Sequence, residues 1–239
     1  MSNHILIKEK INNFKKKINV ASDKSISIRS ILLASQAVGI SKISNLLESE
    51  DVLNTLKAIR KLGINYKKKS GDYFIEGFGL NNFSIKKKIT INAGNSGTLA
   101  RLILGLLVKS KFRIRLIGDK SLSKRDFSRV IKPLRLFGVN IYSRKNSLPI
   151  EILGTDYLRP ISYNEKIGSA QVKSCIIFCA LNTPGTTQIK AKKSRNHTEQ
   201  LLRSLNYPIK VNKINNIDKI SINGLSQFKS FKHIIPGDI

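Results

Sequence analysis

The stretch Asn92-Ala93-Gly94-Asn95-Ser96-Gly97-Thr98, running into the apolar segment from Leu99 to Val108, sets the reading of this chain. Its two glycines permit close backbone approach, and Asn, Ser and Thr are residues that cap helices. Loops of the same kind stand at Asp23-Lys24-Ser25 and Gly168-Ser169-Ala170-Gln171. With Ser25, Gly97 and Ser169 as anchors, the intervals are 97 − 25 = 72 and 169 − 97 = 72 residues. Each loop follows a strand-like run and precedes an apolar helical stretch. Backbone N–H groups at such a helix start are free to hold an anion. Lys or Arg stands near each start, which points to phosphorylated or carboxylated small molecules.

Working outward, the repeat extends through most of the chain. In the first copy the pattern predicts a helix over Ser25–Ala37, an extended segment at Ser41–Ser44 and an amphipathic helix over Glu50–Leu62. Strands at Ile64–Lys68 and Tyr73–Glu76 follow. The second copy reads as a helix over Ser96–Val108, a strand at Phe112–Ile117, a helix over Lys124–Phe137, and strands at Val139–Ser143 and Pro149–Leu153. The third reads as a helix over Ala170–Leu181, a strand at Thr186–Lys190, a helix over Asn196–Leu205, and strands at Ile209–Val211 and Lys219–Ile222. Gly63, Gly138 and Asn206 close the second helix of each copy. Each copy is therefore β-α-β-α-β-β, an α/β (α+β) unit. Three such units with one-sided helices pack around a shared core.

Composition narrows the class. The 239 residues are 41% hydrophobic, which suits a folded globular protein. No apolar run approaches membrane-span length, and Ile5-Leu6-Ile7 followed by Glu9 is no signal-peptide core, so a soluble cytoplasmic protein is expected. Cys175 and Cys179 lie four apart on one helix face, poor geometry for a mutual bridge, and read as buried free thiols. The net charge of +28 invites a nucleic-acid reading. However, the basic runs Lys15–Lys17, Lys67–Lys69 and Lys86–Lys88 are scattered over strand ends and turns, without interleaved aromatics. Most of the charge reads as solvated surface, and nucleic acid is not the expected partner.

Individually, the candidate residues stay ambiguous. The Asn92–Thr98 loop serves equally well as a helix cap or as a site, and it is not a Walker A loop. Lys24 and Arg29 flank the first helix start, where a cation opposes the helix dipole unless an anion offsets it. Arg101 sits one turn into the second helix, and Arg125, near the start of another, could fork a carboxylate or phosphate, although any one such arginine is more often a surface residue than a ligand. His197 reads as a structural or capping residue rather than a general base. No Ser/His/Asp set is evident.

Taken together, however, the segments resemble the enolpyruvyl transferase family, and within it the 5-enolpyruvylshikimate-3-phosphate synthases. The matching stretches are Asp23 to Arg29, Asn92 to Arg101, Gly118-Asp119-Lys120-Ser121-Leu122-Ser123-Lys124-Arg125, Ser169 to Ser174, and Ser194 to Glu199. The family member acting on UDP-N-acetylglucosamine shares the architecture, but its usual Lys-Asn pair is Lys24-Ser25 here. The resemblance implies one of the two domains of an inside-out barrel fold, each domain built of three β-α-β-α-β-β repeats, with substrates in the cleft between them. It implies that Lys24, Ser25, Arg29, Ser169, Ala170, Gln171 and Arg195 serve shikimate 3-phosphate. It assigns Lys24, Asn95, Gly97, Arg125 and Gln171 to phosphoenolpyruvate. The implied reaction moves the carboxyvinyl group to the 5-hydroxyl through a tetrahedral intermediate and releases phosphate, without metal or cofactor. A basic polyanion binder reusing the fold is the alternative from another class.

Departures from the family pattern carry their own expectations. Ala21-Ser22-Asp23 replaces the usual Pro-Gly-Ser. Asp126 stands where a Pro is usual and is expected to pair with Arg125. Asn196 stands for an Asp, which is expected to disturb a helix cap. By the resemblance, residues 1–17 pair with a second domain, 18–235 form the three-repeat domain, and 236–239 begin the crossover. The chain then reads as the amino-terminal half of a monomeric enzyme, with its acid–base residues expected in the other half.

Overall fold

The equal spacing of the three loops becomes an equal spacing of three helix caps. The computed structural model describes Lys15 and residues 20–238; the expected pairing segment 1–17 lies almost wholly outside the described residues. The first repeat comprises α1 (Lys24–Ala34), β1 (Val38–Ser44), α2 (Glu50–Lys61), β2 (Tyr66–Lys69) and β3 (Asp72–Phe78). The second comprises β4 (Ile89–Asn92), α3 (Gly97–Leu106), β5 (Ile114–Ile117), α4 (Ser128–Leu136), β6 (Asn140–Ser143) and β7 (Ile150–Leu153). The third comprises β8 (Ser162–Glu165), α5 (Ala170–Leu181), β9 (Thr186–Lys192), α6 (His197–Ser204), β10 (Ile209–Ile214) and β11 (Ile217–Asn223), and β12 (Lys232–Ile234) follows. Asp23, Ser96 and Ser169 cap α1, α3 and α5, each accepting a hydrogen bond from the backbone N–H three residues on.

The helices divide by burial. α1, α3 and α5 are buried along most of their length and on all sides, with Arg29 on α1 and Lys173 on α5 buried among the apolar residues. A helix of that kind belongs inside a core. α3 and α5 approach closely enough that a Cβ at Gly105 would collide with the carbonyl oxygen of Cys175. α2, α4 and α6 are one-sided and present Val52, Leu56 and Ile59, then Val130 and Leu134, then Leu201 and Leu202 to the same core. The sheets add Ile43 and Ile75, Leu116 and Ile152, and Ile189 and Ile220. Three repeats thus share one helical core. Cys175 and Cys179 are buried free thiols within it, and burial pushes the Cys175 thiol up to about 12.

The three sheets repeat one topology: β4-β5-β7-β6, β8-β9-β11-β10 and β12-β1-β3-β2. In each, the first strand runs parallel to the second and the rest are antiparallel. The first sheet departs from the expected pattern, because its first strand is not the run before Asp23. β12 takes that place from the far side of the sequence, with Ile43 in register with His233. Ser22 instead bridges Gly237, and Asp23 N–H donates to the Pro236 carbonyl. The open edge of β1 is thereby paired.

Another difference lies in the fourth helix. The expected helix over Lys124–Phe137 is split into a 3-10 turn at Leu122–Lys124, an extended Arg125 and α4 from Ser128. Asp126 is the cause, since its carboxylate accepts from Ser128 N–H and from the Ser128 hydroxyl. A carboxylate bonding the backbone two residues on competes with helix continuation. α1 likewise ends at Ala34 rather than Ala37, because the chain turns there to enter β1. Gly63, Gly138 and Asn206 all take positive φ just after α2, α4 and α6, as expected.

Candidate functional site

The starts of α1 and α5 and the loop before α6 enclose a cleft of about 340 Å³. Ser25, Arg29, Ser169, Ala170, Gln171 and Arg195 line it, joined by Gly168, Ser194 and His197. Six of the seven residues predicted to serve a phosphorylated sugar-like ring therefore share one surface. Lys24 does not line it; its Nζ lies 3.1 Å from Asp51 Oδ2 on α2. A larger cleft of about 620 Å³, around Phe78, Phe83, Lys109 and Phe112, contains none of the predicted residues. The smaller cleft is the one with the chemistry.

Arg29 is built into its wall. It is 3% exposed. Its Nε donates to Thr198 Oγ1 (2.9 Å), Nη1 to the Ser25 carbonyl (3.0 Å) and Nη2 to Ser174 Oγ (3.1 Å). All three acceptors are neutral, so the guanidinium charge stays available to an anion in the cleft. Burial lowers its pKa to about 10, against the field of Glu199, and the nearby Arg195 lowers it further. Arg195 itself is exposed at the rim. The loop opposite is set by Glu165, whose carboxylate accepts from the N–H groups of Gly168 (2.6 Å) and Ser169 (3.0 Å) and pairs with Arg129 (2.9 Å).

A second cluster adjoins the first across α3. Asn95 Oδ1 accepts from Arg125 Nη2 (3.0 Å), while Asn95 Nδ2 donates to Asp119 Oδ2 (2.7 Å). Gly97 begins α3, and a Cβ built there would lie 2.9 Å from Arg101 Nη1 and 3.1 Å from Arg125 Nη1. Two guanidinium groups thus crowd the side-chain-free face of Gly97. Neither has a carboxylate within ion-pair distance among the described residues. Burial and then the charges of Arg125 and Arg129 lower the Arg101 pKa. Like charges held together in this way are relieved by a bound anion. The expected Asp126–Arg125 pair does not form, because Asp126 is committed to Ser128.

Gln171 joins the two clusters. Its Oε1 accepts from Arg101 Nη1 (3.1 Å), and its Nε2 donates to Thr98 Oγ1 (3.0 Å). Arg101 carries the larger share of this link than its sequence position announced, and it also lies over the Phe127 ring at 4.9 Å. Ser174 and Thr198 were not legible as partners of Arg29, since small hydroxyl residues within helices usually serve packing or caps. His197 stands at the first residue of α6. It lines the cleft, its Nδ1 has no hydrogen-bond partner, and burial followed by the Arg29 charge lowers its pKa. Asn196, as expected, makes no side-chain cap bond at the start of α6.

Known proteins match this arrangement. Residues 8–239 match the family model for EPSP synthase (3-phosphoshikimate 1-carboxyvinyltransferase). The chain is 44% identical over 224 residues to a 3-phosphoshikimate 1-carboxyvinyltransferase of Ruthia magnifica subsp. Calyptogena magnifica, covering 93% of this chain and 50% of that protein. It is 40% identical over 225 residues to one from Streptococcus pyogenes serotype M4, covering 93% and 52%. A solved EPSP synthase from Acinetobacter baumannii superposes with a TM-score of 0.85 at 37% identity, over 94% of this chain and 50% of that one. The chain spans about half the length of the curated relatives it matches. In sequence and in fold, the chain belongs to the EPSP synthase (3-phosphoshikimate 1-carboxyvinyltransferase) family.

Proposed function

We propose that this chain supplies the anion-binding part of a 3-phosphoshikimate 1-carboxyvinyltransferase. Shikimate 3-phosphate occupies the cleft of Ser25, Arg29, Ser169, Ala170, Gln171 and Arg195, with Lys24 at its mouth. Phosphoenolpyruvate lies over Gly97, held by Asn95, Arg125, Gln171 and Lys24. Arg101 joins this second set, because its guanidinium faces the same glycine. The observation that carries the reading is the convergence of two carboxylate-free arginines on Gly97, linked through Gln171 to a cleft walled by Arg29. Two anions would then lie side by side, one carrying the hydroxyl nucleophile and the other the carboxyvinyl group.

The residues lining the cleft bind and orient but include no carboxylate. Carboxyvinyl transfer needs general acid–base groups, and among the described residues His197 is the one imidazole lining this cleft, with its pKa lowered by burial and by the Arg29 charge. The proton transfers that need a carboxylate are assigned to residues of the half of the family fold that this chain does not span. The test is calorimetric titration of the chain with shikimate 3-phosphate. Saturable binding is expected, weakened about tenfold by Lys24→Ala, as befits loss of a charge-assisted contact. No phosphate release is expected from the chain alone with both substrates. Absence of saturable binding overturns the assignment of the cleft, and turnover by the isolated chain overturns the division of labour.

A further inference from the structure

Behind the cleft, α5 and α6 are joined by two rungs. In the first, Ser174 Oγ and Thr198 Oγ1 share a hydrogen bond of 2.8 Å, and both accept from Arg29. In the second, one residue earlier on α5 and one later on α6, Lys173 Nζ lies 2.8 Å from Glu199 Oε1. The same ammonium lies 3.2 Å from Asp218 Oδ2 on β11. Lys173 is fully buried, and Glu199 and Asp218 are nearly so. None of the three lines the cleft.

Their charge balance matters to the residue next door. Two carboxylates surround one ammonium, leaving an excess negative charge inside the protein. Neither oxygen of Glu199 makes an aligned hydrogen bond, and Lys173 is the one cation in ion-pair contact with its carboxylate among the described residues. The nearby Arg29 is buried with neutral acceptors only. Glu199 is the strongest of the charges acting on Arg29. A buried carboxylate stripped of its partner seeks the nearest cation, since an unpaired charge in the interior is heavily penalised.

We propose that Lys173 is a positioning residue that holds Glu199 away from Arg29, so that the Arg29 guanidinium keeps neutral partners and its charge remains free for the anion in the cleft. Without Lys173, Glu199 pairs with Arg29 and the site neutralises itself from behind. The inference rests on reading the cleft as an anion site.

The decisive comparison is K173M/D218N against K173M/D218N/E199Q, titrated with shikimate 3-phosphate and checked for folding by circular dichroism. The double variant removes one charge of each sign and leaves Glu199 without its cation. Its affinity is expected to fall about tenfold or more, the scale of a lost charge-assisted contact. Neutralising Glu199 in the triple variant is expected to bring affinity back to within about threefold of wild type, the scale of the minor repacking that remains. Equal weakening in both overturns the proposal and leaves Lys173 a packing residue. Should the double variant not fold, single E199Q decides. With Lys173 still paired to Asp218 it is expected to bind at least as tightly as wild type, and a tenfold loss overturns the proposal. A ligand-free readout separates this from the cleft assignment. The ¹⁵N resonance of Arg29 Nε is expected to move in the double variant and return in the triple. If it does so while wild type binds no shikimate 3-phosphate, the cleft assignment falls and the role of Lys173 stands. An Arg29 resonance unmoved in the double variant overturns the role of Lys173.

Discussion

Arg101 Nη1 donates to Gln171 Oε1 across 3.1 Å, tying the guanidinium beside Gly97 on α3 to the helix start that walls the neighbouring cleft on α5. Gln171 also donates to Thr98, so one amide spans two repeats whose loops lie 72 residues apart. An anion at either side changes the partners available to that amide. Allosteric coupling of this kind is a difference in binding free energy and is reciprocal. Gln171→Ala is expected to weaken each substrate by about tenfold, and to abolish any enhancement of phosphoenolpyruvate binding by shikimate 3-phosphate. Calorimetric titration of each substrate in the absence and presence of the other measures both quantities.

Gly97→Ala places a methyl group 2.9 Å and 3.1 Å from the Nη1 atoms of Arg101 and Arg125. Long side chains can yield, so the fold survives, and alanine suits a first helical turn. The guanidinium groups must separate, however, and their joint grip on one anion loosens. Phosphoenolpyruvate affinity is expected to fall about tenfold, while shikimate 3-phosphate and the thermal midpoint change little. Equal loss for both substrates would place the phosphoenolpyruvate site elsewhere.

Gly105→Ala tests the core rather than the site. Here the methyl group meets the Cys175 carbonyl, part of a backbone that cannot swing aside as a side chain can. Overpacking of this kind costs about 1–3 kcal/mol. Urea denaturation is expected to show a lower midpoint with an unchanged slope. The two loop clusters are held by α3 and α5, so substrate affinity is expected to fall with it.

His197 sets a pH dependence. Burial and the Arg29 charge hold its pKa below the ordinary imidazole value in the folded chain. Between that lowered pKa and the ordinary value of about 6.5, the unfolded chain binds more protons than the folded one. Its contribution to stability is therefore complete above about pH 6.5, begins to fall below that value and is lost as the pH drops through the lowered folded-state pKa. His197→Gln is expected to flatten part of this acid-side slope in thermal unfolding measured from pH 7.5 to 5. His233, also lowered by burial, retains the rest.

Much of this protein is written locally. The helix over Ala170–Leu181 was legible to the residue, because its apolar run is continuous and Ser169 caps it. The caps at Asp23, Ser96 and Ser169 announced three helix starts by chemistry alone. The repeat called for a strand before Gly168, but its bounds were not legible, since Ser162-Tyr163-Asn164-Glu165 is largely polar and becomes a strand by pairing with β9. The break before α4 turned on a single Asx contact of Asp126 with Ser128, which a helical apolar pattern overruled in reading.

The sequence by itself determined three repeats, their caps, the apolar helices between them and the family to which their motifs belong. These follow from interactions between residues a few positions apart, where side-chain type and spacing decide the outcome. Only the tertiary structure decided that β12 completes the first sheet, that Gln171 hydrogen-bonds to Arg101 and Thr98 on α3, and that Lys173 stands with Glu199 and Asp218 behind Arg29. Each of these joins residues far apart in the chain, and their distances are set by how the buried helices pack, not by any local preference.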